Sequence, residues 1–261
     1  MRVENPVQDL RELPGTRILD YNGFTVEIHM GKLYMNYLEP LVEKAVAIKS
    51  KVFMMDKSVA REMMEKHMRP EGSVKEFEIP SIMFFLTPDL RYIGYATHRL
   101  LMVETSIASV GSIPLVYFTR TIEEDYQGQH LGRYAVKEGL IIHNKAKWLG
   151  YRTQSPPAAY STMKANVTKE GRHFPWEATY DSEPNLLAHQ IMMALYYRIR
   201  RHGSHPDVGY GVSINDYDEE NKAYKPNVNH KPTMEIKRRM EEEFGMMFPN
   251  GDSLYGVGEL K

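Results

Sequence analysis

The hydrophobic positions of this chain change period several times, and each change marks an element. Phe24-Thr-Val-Glu-Ile28 alternates apolar with polar residues, which predicts a strand. From Tyr37 to Phe53, Leu38, Leu41, Val42, Ala45, Val46, Ile48 and Val52 recur at helical spacing. A second helix is predicted over Val59–Met68, with Ser58 as its N-cap. The period then shortens. Phe77–Leu86, Tyr92–Val103 and Ile113–Thr121 read as strands, separated by Thr87-Pro88-Asp89 and by a turn over Ser106–Ser112. Three strands in series with short connections predict an antiparallel meander.

Helical spacing returns over Arg133–Leu149, where Ala135, Gly139, Ile142, Ala146 and Leu149 form one apolar face and Gly150 supplies a stop. Tyr151–Gln154 is then a short strand parallel to 113–121, because a crossover helix separates the two. Helices follow over Pro157–Ala165 and Pro184–Arg201, the latter starting at Asp181 or Ser182 and ending at Gly203. Beyond His205 the sequence is polar and rich in turn residues, with an amphipathic helix over Met234–Phe244. The expected division is an N-terminal arm (1–20), a domain (21–203) and a polar extension (204–261) packed on that domain or on a dimer partner.

Composition removes several function classes. The 261 residues carry 33 Lys and Arg against 34 Asp and Glu, a net charge of −1, so no strong field draws the chain to DNA or to an anionic membrane. There is no cysteine, hence no disulfide, thiolate metal site or cysteine nucleophile. The N-terminal residues show no apolar signal region, and no apolar run reaches the roughly 18–20 residues of a bilayer span. The expectation is a cytoplasmic protein. HExxH, GxSxG, Walker A and GxGxxG patterns are all missing, and His202 and His205 read as solvated loop residues, so no metal is expected.

The chemistry concentrates in Ile113–Gly132. A β-rich run leads into the acidic turn Glu123-Glu124-Asp125-Tyr126, then Gln127-Gly128-Gln129-His130-Leu131-Gly132, then a helix. Strand, glycine loop and helix start leave backbone N–H groups free to hold a phosphate.

The order of elements and the run Ile122-Glu-Glu-Asp-Tyr126-Gln127-Gly128-Gln129-His130-Leu131-Gly132 resemble the GNAT superfamily of N-acetyltransferases, whose loop carries a pattern like V-x-P-x-Y-R-G-x-G-I-G. Tyr92-Ile93-Gly94-Tyr95 is similar to the V-G-Y opening of that family's preceding strand. Glu124 stands where the pattern has proline, and His130 where it has its central glycine. The resemblance covers roughly residues 25–180.

It implies an α+β fold, a mixed, mainly antiparallel twisted sheet flanked by helices. It implies acetyl-CoA or another acyl-CoA as cofactor, and a small-molecule or peptide amine as acceptor. On this mapping Thr121 and Ile122 lie near the thioester. Gln127, Gly128, Gln129, His130, Leu131, Gly132 and Arg133 hold the pyrophosphate. Tyr160, on the short helix after the fifth main strand, is the candidate acid, and Glu104 or Glu123 is the candidate base, with Glu124 as a further acidic neighbour. An inactive CoA-binding module, or an enzyme using acyl carrier protein or aminoacyl-tRNA as donor, fits the same residues.

Overall fold

The computed structural model describes residues 10–13, 15–30, 37–68, 80–104, 111–153, 155–165, 173–174, 186–199, 205–207, 212–214, 231–247 and 252–260. Most of the predicted turn at Ser106–Ser112, the start of the strand at Phe77, and Asp181, Ser182, His202 and Gly203 lie outside them. The chain forms two compact units, 1–99 with 119–131, and 100–118 with 132–261. The strands β4 and β5 contribute residues to each.

In the first unit, β1 (Arg17–Tyr21) and β2 (Phe24–Met30) form a hairpin. Its turn residues Asn22 and Gly23 have φ of 53° and 80°, the paired left-handed geometry that two-residue hairpin loops favour. The helices α1 (Leu38–Phe53) and α2 (Lys57–Met68) follow. Then come β3 (Pro80–Leu86), β4 (Tyr92–Glu104) and β5 (Ser112–Ile122). The β3–β4 ladder is antiparallel, as the meander predicts, and β2 joins β3 antiparallel as well. Leu41, Val42, Ala45 and Ile48 of α1 and Ala60, Met64 and Met68 of α2 repeat at three and four residues. That spacing brings them onto Ile82, Phe84, Leu86 and Tyr95 of the sheet in one core.

Two local expectations change here. Asp56, not Ser58, caps α2: its carboxylate accepts the Ser58 N–H and hydroxyl, both at 2.6 Å. Arg17–Tyr21 is a strand, although it reads as part of an irregular arm.

In the second unit the chain runs through α3 (Leu131–Ile142), β6 (Trp148–Thr153), α4 (Pro156–Ala165), β7 (His173–Phe174) and α5 (Leu186–Ile199). It ends with β8 (His205–Asp207), β9 (Val212–Ile214), α6 (Lys231–Arg238), a π-helical turn over Arg239–Glu243, and β10 (Ser253–Glu259). The β5–β6 ladder is parallel and runs from Leu115↔Trp148 to Phe118↔Tyr151. The other described ladders are antiparallel: β10 pairs with β6, β7 and β9, and β9 with β8. This is the mixed, mainly antiparallel sheet with flanking helices that the resemblance implies.

Strand alternation sorts the side chains of this unit into two cores. Val116, Phe118, Leu149, Tyr151 and Leu254 meet Val136, Ala159, Ile236 and Met240. Leu115, Tyr117, Trp148, Tyr255 and Val257 meet Ala188, Ile191, Leu195 and Tyr196 of α5. Strands buried on both faces read as continuous apolar runs.

Three corrections follow. The predicted helix over Arg133–Leu149 ends at Ile142, and Leu149 belongs to β6. Gly150 is not a helix stop but a mid-strand residue, where a Cβ would lie 2.6 Å from Leu195 Cδ2 and 3.0 Å from Leu115 Cδ2. Residues 204–261 are not a peripheral extension throughout, because β10 lies beside β6 with Ser253–Gly258 buried.

Candidate functional site

The end of β5 is fixed in register on β4. The Glu123 N–H donates to the Ile93 carbonyl at 2.9 Å, the Thr97 and Thr119 hydroxyls are 2.9 Å apart, and Thr121 Oγ1 donates to the Tyr95 phenol oxygen at 3.1 Å. Antiparallel alternation directs the amides of Thr119, Thr121 and Glu123 toward β4, and that of Ile122 toward the opposite edge of β5. Gly94 is required at this crossing. A Cβ there would lie 2.8 Å from the Thr121 carbonyl oxygen and 3.2 Å from Ile122 Cα. Burial pushes the Tyr95 phenol well up, and its proton goes to Met64 Sδ at 3.1 Å.

Glu123 is 8% exposed, and both carboxylate oxygens are engaged. Lys51 Nζ donates to Oε1 at 2.7 Å and Arg91 Nη1 to Oε2 at 2.8 Å. Burial alone would raise this carboxyl. The two cations outweigh it and hold the group below the usual carboxylate value. A carboxylate so held takes up a proton less readily than a free one.

The chain then makes one 3₁₀ turn, Glu124–Tyr126, closed by Tyr126 N–H to the Glu123 carbonyl and Gln127 N–H to the Glu124 carbonyl, each at 3.0 Å. The Gln127 side chain turns back to the Ile122 carbonyl at 3.2 Å. Gly128, Gln129 and His130 are exposed. Gly128 has φ 89° and open space where a Cβ would stand, and His130 has φ 61°. His130 thus adopts the left-handed conformation that glycine takes most easily, at the position where the resemblance calls for glycine. Leu131 is buried and begins α3.

Within the first turn of that helix, Arg133 Nε is buried with no hydrogen-bond partner. An unpaired buried guanidinium N–H is costly unless an acceptor reaches it. An anionic group within its reach would supply that acceptor, and the partial positive charge of the helix end favours the same sign. The residues therefore fit a phosphate-bearing cofactor.

Thr121, Ile122, Glu123 and Gln127–Leu131 belong to the first unit. Gly132, Arg133, Glu104 and Tyr160 belong to the second. Glu104 is exposed at the end of β4, and Tyr160 is half-buried on α4 against the core of its own unit. Lys51 and Arg91, the partners that define Glu123, are the residues sequence reading misses.

No family model matches the chain, and neither does any curated protein. Among solved structures, the chain is similar to a "Probable N-Acyltransferase" of Enterococcus faecalis V583, at 13% identity and a TM-score of 0.36 over 51% of this chain. It spans only 30% of the length of that protein. It is also similar to the GNAT family N-acetyltransferase YhbS of Escherichia coli, solved in complex with CoA, at 19% identity and a TM-score of 0.34, over 57% of this chain and 68% of that one. A GNAT family acetyltransferase of Staphylococcus aureus MU50 is 11% identical with a TM-score of 0.32, over 61% and 90% of the two chains. Likeness at this level carries no residue-by-residue equivalence.

Proposed function

We propose that the protein is an acyl-CoA-dependent N-acyltransferase, acting as an N-acetyltransferase on a small-molecule or peptide amine. The observation that carries this reading is the turn from β5 into α3. Two left-handed residues present exposed backbone at a helix start, and a buried Arg133 N–H lacks an acceptor within its first turn. The backbone of Gly128–Leu131 would offer N–H groups to the pyrophosphate and Arg133 a charged donor, the Gln127 N–H being engaged in the turn.

Acyl-CoA, when bound, supplies an activated thioester carbonyl. The Ile122 N–H, directed away from β4, would stabilise negative charge developing on the acyl oxygen. The attacking amine must be neutral and must shed a proton. Glu124, exposed on the turn after β5, is proposed to receive it through water, because Glu123 is held by two cations and Glu104 stands eleven residues along β4 from Ile93, whose carbonyl meets the Glu123 N–H. Tyr160 is proposed to protonate the departing thiolate, a reasonable transfer between groups whose ordinary pKa values are about 10 and about 8.5.

The neutralised Glu123 also favours a second reading, a CoA-binding module without catalysis. One experiment separates them. Thermal midpoints are measured with and without CoA and acetyl-CoA, and thiol release is followed over a panel of amines. At about a hundredfold excess over Kd, binding should raise the midpoint by roughly 5 °C or more. A shift with thiol release supports the enzyme. A shift without it supports the module, and no shift removes both. Tyr160→Phe should lower turnover and leave the CoA shift in place; a fully active variant takes Tyr160 out of the mechanism.

A further inference from the structure

Glu123 sits between Ile122, assigned above to the acyl end, and the turn that carries the phosphate loop. Its two cations come from distant places: Lys51 from the last turn of α1 and Arg91 from the β3–β4 turn. Arg91 also donates to the Tyr126 phenol at 2.8 Å, and the Tyr126 ring meets Phe24 of β2 edge-on, with centroids 6.1 Å apart. The helix α1, the β3–β4 turn and β2, all of the first unit, thus converge on Glu123 and Tyr126. Ion pairs of this kind give little net stability, because desolvation offsets their attraction. What they do give is geometry. Each hydrogen bond removes a direction in which the chain could leave β5.

We infer that Glu123 is a positioning residue: its doubly paired carboxylate fixes the exit of the chain from β5, and so the direction in which Gly128–Leu131 present their amides. The inference rests on the acyl-CoA reading for the identity of the ligand, but the clamp itself does not.

The test uses the full chain and two variants, Glu123→Gln and Arg91→Lys. Glu123→Gln removes the charge and turns an N–H₂ toward one of the cations. Arg91→Lys keeps the charge but cannot reach Glu123 and Tyr126 together, so it should show the same effects more weakly, and it serves if the first variant folds poorly. Amide hydrogen exchange is read at Tyr126 and Gln127, whose N–H groups close the turn. In Glu123→Gln both should exchange roughly tenfold faster or more, and the Kd for CoA should rise roughly tenfold, while kcat at saturating acetyl-CoA changes far less.

Unchanged exchange at these two amides overturns the clamp. Faster exchange with an unchanged Kd overturns its role in positioning, leaving a purely structural contact. A collapse of kcat with loss of the acidic limb of the pH profile, at unchanged KM, would make Glu123 a base and also overturn it. If the wild-type chain does not bind CoA, the functional reading falls, while the exchange result still decides the clamp.

Discussion

The stretch Ile122–Tyr126 and the stretch Gly128–His130 are neighbours in sequence and opposites in construction. The first is gripped by side chains from α1, β2 and the β3–β4 turn, and its backbone is bonded to β4. The second is exposed, and its shape comes from two left-handed backbone residues. One is held by remote partners and the other by local dihedral preference. A loop that must receive an anion needs both: a fixed point of departure, and backbone that no side chain crowds. The difference also says where substitutions will hurt. Changes in the held stretch act through the fold; changes in the open stretch disturb the fold less and test the proposed ligand contact.

The strongest challenge to that contrast is Gly94→Ala. The new methyl would fall 2.8 Å from the Thr121 carbonyl oxygen and 3.2 Å from Ile122 Cα, backbone atoms that cannot swing aside. The expected cost is about 1–3 kcal/mol, the range for forcing atoms into a packed site. Denaturant midpoints measure it. A neutral Gly94→Ala would show that β4 and β5 separate easily here, and the held stretch would lose its distinction.

A smaller effect tests the clamp through pH. The Glu123 carboxyl lies below its ordinary value of 4.5 in the folded chain, since Lys51 and Arg91 outweigh burial. Its unfolded value is the ordinary one. The stability it contributes is therefore complete above about pH 4.5 and is lost as pH falls through the lower folded value. Glu123→Gln cannot titrate. The stability gap between wild type and variant should be constant from pH 7 to about 5 and close progressively below 4.5. Other carboxylates are common to both proteins and cancel in the difference. A gap that stays constant down to pH 3 would mean that the two cations do not act on this group.

The same contrast explains what could be read from the sequence. The held stretch was legible as strand and turn, because strand alternation is local. Its partners were not, since Lys51 and Arg91 lie 72 and 32 residues from Glu123. An acidic turn read alone does not show which of its carboxylates two remote cations will pair with. The open stretch was legible almost in full: glycine, exposure and helix start are all local signals. Elsewhere the errors share one cause. Apolar residues of α3 and β6 happen to continue one helical face through Ala146 and Leu149, so a doubly buried strand extended the predicted helix. The glycines of β10 obscured a strand, yet Gly256 is there because its Cβ would overlap the Tyr151 ring on the paired strand. At β1 the signal is local, since Asn22-Gly23 is a strong hairpin turn.

The smallest expected effect sharpens the comparison from the open side. His130 has φ 61° and is exposed. A non-glycine residue in this region gives up roughly 1–2 kcal/mol, less for histidine than for most, whereas glycine adopts it freely. Glycine also loosens the unfolded chain, which takes back about 0.4–1 kcal/mol. His130→Gly should therefore stabilise the protein by a few tenths to about 1 kcal/mol. His130→Ala, with the steric cost kept and no polar side chain to offset it, should fall at or below wild type. The order Gly above His above Ala, read from thermal midpoints, identifies backbone strain as the cost at this position. The reverse order for glycine would mean that the imidazole makes a stabilising contact, and the open stretch would then be held by a side chain as Ile122–Tyr126 is. CoA affinity measured on the same variants adds the functional half. If His130→Gly is more stable and binds CoA as well as wild type, the left-handed backbone is what the ligand meets. If it is more stable and binds worse, the imidazole itself touches the phosphate, and the strain is retained for that contact.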